Sequence, residues 1–429
     1  KEPGAPAEPL HLDVALALAG RQVAVIGGRY GLGSKEFTPR DAAAVFAELA
    51  APDPRRQFTV GIVDDVTGLS LVRDDAFVVP IEGTQAVFFG LGSDGTVGAT
   101  KSTVKIIGEN TDLDAQGYFV YDAKKSGSVT VSHLRFGPGP IRSTYLIESA
   151  DFVACHQFSL LERLAVLDVA RPGATVLLNA PFPADEVWDR LPREIQRQAR
   201  DKGVRLWAVD ARRVAREVGL GTRINTVMQP CFFALSGVLA PDTAVELVKD
   251  SVARAYGRRG RSVVERNHAA IDRAIDALHE VALGEVTAGD RADRTLPATA
   301  PPFVQRVTAM LMAGQGDLLP VSALPVDGTF PTSTARWEKR ALADDIPIWD
   351  AALCIDCGKC AIVCPHAAIR MKAYSPSAAV DADLPSKAYG GRDLPDGTLL
   401  TVQVAPDDCT GCGVCVDVCP ARSKTVAKH

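Results

Sequence analysis

Cysteine is scarce in most of this 429-residue chain: only Cys155 and Cys231 precede residue 354. So sparse a supply rules out a disulfide framework as the basis of the fold. Long apolar runs are lacking too. None reaches the ~20 residues that a membrane-spanning helix requires, so no membrane partner is expected. No signal-peptide pattern opens the chain, which points to a reducing, cytoplasmic setting. The opening Lys1-Glu2-Pro3-Gly4 has no methionine, and a polar tail ends the chain soon after Cys419. Such ends suggest cuts in a longer polypeptide, a processed subunit being the alternative. There is no positive surplus: 47 Lys and Arg against 52 Asp and Glu leave a net charge of −5, which gives no reason to expect nucleic acid. Internal repeats are missing apart from one duplicated cysteine run. What is present is an ordinary globular composition, 47% hydrophobic and 23% charged, long enough for two to four domains.

The duplicated run organises the last quarter. Cys354, Cys357, Cys360 and Cys364 read C-x2-C-x2-C-x3-C and precede Pro365; Cys409, Cys412, Cys415 and Cys419 repeat the spacing and precede Pro420. Gaps of two let one tight loop aim three thiolates at one iron–sulfur cluster, while the fourth thiolate of each run crosses to the other. The spacing therefore predicts two 4Fe-4S clusters. Cys354, Cys357, Cys360 and Cys419 hold one; Cys409, Cys412, Cys415 and Cys364 hold the second. Zinc also accepts four thiolates at C-x2-C spacing. A third cysteine two residues on and a fourth before proline, twice over, fit the clusters better.

Before that region, residues 1–81 read as a small α/β unit. Strand patterns at Arg21–Ile26 and Gln57–Val63 flank a helix that begins at Thr38-Pro39. Residues 82–285 alternate strand and helix patterns. The strands are at Gln85–Phe89, Tyr118–Tyr121, Ser128–Leu134, Asp151–Cys155, Ala174–Leu178 and Val204–Val209. Helices are expected at Ser159–Val169 and Leu191–Lys202, and over most of 226–285, ending with Ser262–Ala282. That alternation predicts a largely parallel sheet covered by helices. Residues 286–345 are broken by Pro297, Pro301, Pro302, Pro320, Pro325 and Pro331, yet Phe303, Val307, Met310 and Leu311 fall at helical spacing, so the stretch reads as an arm packed on its neighbours.

Gly90-Leu91-Gly92-Ser93-Asp94-Gly95 follows a strand and opens a helix. In that context glycines let the backbone approach a pyrophosphate, and the helix N-terminus supplies amide donors. Asp122 ends the next strand pattern, where a ribose-binding acid would sit in a dinucleotide fold. Lys124 and Lys125 follow it and suit extra phosphate, so an ADP-containing ligand such as coenzyme A fits better than NAD. Other tempting residues carry less. Cys155 and Cys231 lie in apolar runs and read as buried, inert thiols. His156 next to Cys155 suggests a dyad only if the fold pairs them. His133 and Arg135 end a strand, where either a structural role or a contact with a ligand or partner fits. His366 reads as an exposed or capping residue.

Taken together the chain resembles the pyruvate:ferredoxin (flavodoxin) oxidoreductase family nearly end to end. The strings that carry the resemblance include GGRYGLGSKEFTP (27–39), GLGSDGTVGATKSTVKIIG (90–108), KKSGSVTVSHLRFGP (124–138), LPVSALPVDGTFPT (319–332), CIDCGKCAIVCPHAAIR (354–370) and QVAPDDCTGCGVCVDVCP (403–420). The resemblance implies a multidomain α/β protein ending in a ferredoxin-like α+β domain. Residues 1–81 would be the end of a transketolase C-terminal-like domain, 82–285 a coenzyme A-binding α/β domain, 286–345 a connecting arm and 346–429 a two-cluster ferredoxin domain. It implies coenzyme A contacts at Gly92, Ser93, Asp94, Gly95, Thr96 and Lys124, and, in strings that depart more from the family, at Asn225 and Asn267. It further implies conversion of pyruvate and coenzyme A to acetyl-CoA and CO2, with ferredoxin or flavodoxin as electron acceptor, the enzyme's remaining domains as partners, and a homodimer. Thiamine diphosphate, magnesium and a third 4Fe-4S cluster belong to parts of the family not found in these residues, so this segment alone is expected to be inactive. A separate electron-transfer subunit, a related 2-oxoacid oxidoreductase, or an NAD(P)H:ferredoxin oxidoreductase component are the alternatives.

Overall fold

The computed structural model describes residues 7–31, 35–92, 94–122, 127–221, 223–287, 296–339, 341–343, 345–378 and 384–422. The chain forms two compact units, Lys1–Thr334 and Ala335–His429. Residues 335–345 thus group with the cysteine-rich part.

The first unit opens with helix α1 (Pro9–Ala17), strand β1 (Gly27–Arg29), helix α2 (Pro39–Leu49) and strand β2 (Gln57–Thr59), the two strands pairing in parallel. Helix α2 starts where its sequence says. The Asp41 carboxylate accepts from both the amide and the hydroxyl of Thr38 at 2.8 Å, tying the first turn to its cap, and Arg73 at 3.1 Å answers the buried charge. Strand β1 lies just past the apolar Arg21–Ile26 run, not within it. A methyl group on Gly28 would fall 2.3 Å from the Phe58 ring, so the two backbones meet only where a side chain is missing.

The main sheet comprises β3 (Thr84–Leu91), β4 (Asp114–Tyr121), β5 (Val129–Gly137), β6 (Ala150–Cys155), β7 (Ala170–Asn179), β8 (Arg205–Val209) and β9 (His279–Val281), in the order β4-β5-β3-β6-β7-β8-β9. Its centre, β3-β6-β7-β8, is parallel; β4, β5 and β9 are joined antiparallel. The helices are α3 (Thr96–Asn110), α4 (Val187–Arg190), α5 (Arg193–Asp201), α6 (Ala211–Glu217), α7 (Asn225–Ser236), α8 (Pro241–Tyr256) and α9 (Arg261–Asp276). Alternation along the strands divides the core. Val87, Phe89, Val153, Cys155, Val176 and Leu178 face one layer with Leu160, Val187 and Ile195. Ala86, Phe88, Phe152, Ala154 and Leu177 face the other with Ile106, Ile107, Phe232 and Ile271. There Phe232 meets Phe88 and Phe152 edge-on, with centroids 5.2 and 5.0 Å apart. Each such pair adds about 0.5–1.5 kcal/mol to its area burial.

Two helix expectations fail. Ser159–Val169 forms only a short 3-10 turn at Phe158–Glu162. The carbonyls of Leu167, Asp168 and Ala170, at the end of that stretch and the start of β7, accept from the Lys202 ammonium. Ser262–Ala282 stops being helical at Asp276 and turns into edge strand β9. Further on, the proline-interrupted stretch packs within the first unit. It holds a wide turn at Val304–Thr308 that continues into α10 (Ala309–Met312), with Phe303 edge-on to Phe330.

In the second unit β10 (Ile369–Tyr374) pairs antiparallel with β12 (Leu399–Val404), and β11 (Lys387–Ala388) pairs with β12 on its other side. Helices α11 (Lys359–Val363) and α12 (Val414–Val418) lie against each other. Among the described residues no helix is long and apolar enough to cross a membrane.

Candidate functional site

The first polar site lies at the carboxyl ends of β3, β6 and β7, where ligands gather in open α/β sheets. The glycine turn after β3 is shaped by Asp94. Its carboxylate accepts from the Leu91 and Thr96 amides, each at 2.7 Å. Gly95, at φ +92°, caps α3, and a methyl group there would fall 2.9 Å from Asn225 Cβ. Only glycine permits both that dihedral and that approach. The Gly92 amide donates to the Ser128 carbonyl at 2.7 Å. Gly92, Asp94, Gly95, Thr96 and Asn225 therefore lie together. Asn267 stands behind them, buried, its carbonyl accepting from Thr226 at 2.8 Å and its amide donating to the Val263 carbonyl. Ser93 and Lys124 lie outside the described residues.

The residue that sequence reasoning undervalued here is His156. It does not pair with Cys155: its Nδ1 meets the Thr96 hydroxyl at 2.7 Å, while the Cys155 thiol donates to the Gln157 carbonyl. Burial, only partly opposed by the Asp94 charge, pushes the imidazole pKa down to about 4, so it is neutral near pH 7. Burial pushes the thiols of Cys155 and Cys231 up to about 12, which makes them inert. The Asn179 amide donates to the His156 carbonyl, its own carbonyl accepts from the Ala211 amide, and Arg212 donates to Gln157 at 2.6 Å. Asp122 does not stand where a ribose acid should. Strand β5 intervenes between β4 and β3, so the strand ending at Asp122 is not the neighbour of the glycine-turn strand. His133 and Arg135 are both held by internal contacts: His133 accepts from the Ile147 amide, and buried Arg135 donates to Gln85 and Gln116.

The second site is the pair of cysteine loops, built on one plan. Gly358 and Gly413, both left-handed, open α11 and α12; Cys364 and Cys419 close them. The Asp356 amide donates to Cys354 Sγ and the Gly411 amide to Cys409 Sγ, each at 3.4 Å. Within each loop the thiols share an electrostatic neighbourhood. Burial raises the Cys360 pKa, and the charges of Cys354 and Cys357 raise it further; Cys415 is raised likewise, with Cys412 and Cys409 adding to burial. Burial also acts on Cys364, but donors at the backbone of His366, Ile369, Ala368 and Ala367 outweigh it and lower the pKa, favouring the thiolate. A cavity of about 150 Å³ is lined by Cys409, Cys412, Cys415 and Cys364, with Ile346, Pro365, Ile369 and Val416 among its apolar walls. Among the described residues no group of three or more His, Cys, Asp or Glu is set to hold a single metal ion. The paired loops, the backbone donors to sulfur and the four-thiol cavity fit clusters, and the chain carries two 4Fe-4S clusters.

Comparison with known proteins agrees with this arrangement. Residues 85–277 match the family described as pyruvate ferredoxin/flavodoxin oxidoreductase, 290–343 a domain of unknown function, and 353–423 a 4Fe-4S dicluster domain. The pyruvate-flavodoxin oxidoreductase of Rhodospirillum rubrum is 51% identical over 99% of this chain and 37% of its own length; that of Trichormus variabilis gives the same three figures. The pyruvate:ferredoxin oxidoreductase of Moorella thermoacetica is 47% identical over 99% of this chain and 37% of its own length. The chain thus spans little more than a third of these relatives.

Proposed function

We propose, for a chain that belongs to the pyruvate ferredoxin/flavodoxin oxidoreductase family, that it supplies coenzyme A binding and electron transfer to an enzyme that oxidatively decarboxylates pyruvate to acetyl-CoA. On this reading residues 1–81 close a preceding domain, 82–285 bind coenzyme A, 286–345 connect, and 346–429 carry the clusters. The observation that supports it is the presence in one chain of two cysteine loops built on one plan and of a glycine turn at a strand-end crevice. When bound, each cluster takes up and releases one electron, which separates a two-electron oxidation into single steps that ferredoxin or flavodoxin accepts. The chain's own residues hold the clusters: Cys354, Cys357 and Cys360 with Cys419, and Cys409, Cys412 and Cys415 with Cys364. Gly92, Ser93, Asp94, Gly95, Thr96, Lys124, Asn225 and Asn267 form or support the coenzyme A site. Neutral His156 fixes Thr96 there. Thiamine diphosphate, magnesium and a third cluster act in the rest of the enzyme, which we read as a cytoplasmic homodimer.

The test uses the full-length enzyme. Coenzyme A should protect the strand-end site better than NAD, and Lys124→Ala should raise the coenzyme A requirement roughly tenfold or more, the usual loss for one charge-assisted contact. Cluster reduction by pyruvate without coenzyme A should change little. Competition by NAD at equal concentration, or an unchanged coenzyme A requirement, would overturn the assignment.

A further inference from the structure

We propose that the Asp356–Lys387 ion pair makes the two cluster sites inequivalent, holding the first cysteine loop in shape and setting the reduction potential of the cluster bound there from a loop position that is glycine in the second loop, whose own ion pair, Lys339–Asp408, lies before its first cysteine instead. The proposal rests on the reading of the eight thiols as ligands of two clusters.

The two loops match residue for residue. Cys354-Ile355-Asp356-Cys357-Gly358 corresponds to Cys409-Thr410-Gly411-Cys412-Gly413. The third position is left-handed in both, at φ +61° for Asp356 and +68° for Gly411. Glycine takes that conformation freely; an aspartate there needs compensation. Compensation comes from the segment that separates the two runs. The Lys387 ammonium on β11 lies 3.0 Å from one Asp356 oxygen, and the Gly390 amide donates to the other at 3.1 Å. The same ammonium donates to the carbonyl of Cys354, the first ligand, at 2.6 Å. Both side chains are largely withdrawn from water, with 13% and 25% exposure, so neither charge is fully screened. In the second loop the matching position has no side chain, and space there is tight: a methyl group on Gly411 would stand 3.3 Å from the Asp345 carbonyl and 3.5 Å from Ala343 Cβ.

Adding an electron makes a cluster more negative, so an unbalanced carboxylate beside it disfavours reduction and an unbalanced ammonium favours it. As a pair the two charges largely cancel; singly they do not. The cluster on the Cys354 loop is therefore sensitive to either residue, and the cluster on the Cys409 loop is insensitive to both.

The test is a redox titration of the full-length holoprotein followed by electron paramagnetic resonance, with iron content measured in parallel. Lys387→Gln should lower the potential of one cluster so that its reduction equilibrium shifts about tenfold, about 59 mV for one electron, and leave the other in place. Asp356→Asn should shift the same cluster upward. The double variant Asp356→Asn/Lys387→Gln and the charge-conserving Lys387→Arg should return it near its original value. If Lys387→Gln instead loses that cluster, Asp356→Gly/Lys387→Gln, which copies the second loop, should restore it. Equal shifts in both clusters, no shift in either, or a loss that the glycine variant does not repair would overturn the proposal. Failure of the unsubstituted protein to hold both clusters would overturn the ligand reading beneath it.

Discussion

Thr96 and His156, sixty positions apart, are joined by a 2.7 Å hydrogen bond between a threonine hydroxyl and an imidazole Nδ1, both buried. Thr96 begins α3 directly after the glycine turn; His156 follows β6. The bond fastens the turn to the neighbouring parallel strand. Asn179 extends the tie to β7 and to the start of α6. A glycine-rich loop needs such fastening, because its glycines leave it few side chains of its own.

That tie predicts a pH dependence of stability. His156 and His133 both have folded-state pKa values depressed to about 4, chiefly by burial, with the Arg135 charge adding to the effect at His133. A depressed base binds fewer protons folded than unfolded between about pH 4 and its ordinary value near 6.5. Stability is therefore present above pH 6.5 and falls as pH drops through that window. Each histidine should account for up to about 3 kcal/mol of the loss. Urea unfolding at pH 7, 6 and 5 should show a steeper decline for the native protein than for His156→Gln. Identical slopes would show that His156 titrates as it does unfolded.

A second expectation concerns Gly95. Alanine at φ +92° is strained, and its methyl group would press on Asn225 Cβ at 2.9 Å. Gly95→Ala should cost about 1–2 kcal/mol from the dihedral alone. It should also weaken coenzyme A binding by moving the α3 amides from the crevice. Calorimetry on the full-length enzyme separates the two effects. Gly98→Ala is the control, because a methyl group there meets nothing within 4 Å.

Much of this was legible in the residues. Strands β3, β6, β7 and β8 are apolar on both faces because helices cover both, and such runs stand out in sequence. The cysteine spacing spoke for itself, since three gaps of fixed length encode a loop. Less visible was anything decided by tertiary partners. The Ser159–Val169 segment has helical spacing, but its end is held by Lys202, distant in sequence, through the carbonyls of Leu167 and Asp168. Strand β9 has three residues and pairs with an edge, so no alternation could develop. Asp122 ends the next strand pattern, where a ribose acid would sit, yet the insertion of β5 beside β3 is a matter of topology. His156 stands beside Cys155 in sequence, but its hydrogen-bond partner, Thr96, comes from another element.

The last expectation concerns Cys364, the residue that closes α11. Chain order groups it with Cys354, Cys357 and Cys360, but the cavity it lines is bounded by Cys409, Cys412 and Cys415. Helices α11 and α12 lie side by side, so the end of one reaches the loop that begins the other. Backbone donors at residues 366–369 favour its thiolate, as a ligand requires. Cys364→Ser should therefore damage the cluster of the second run and spare that of the first, with Cys360→Ser doing the reverse. The protein purified without oxygen should hold less iron per chain in each variant, because one of its two clusters has lost a thiolate ligand. Electron paramagnetic resonance of the reduced proteins should show complementary missing signals. If both substitutions remove the same signal, the fourth ligand stays within its own run, and the crossed assignment of the eight cysteines is wrong.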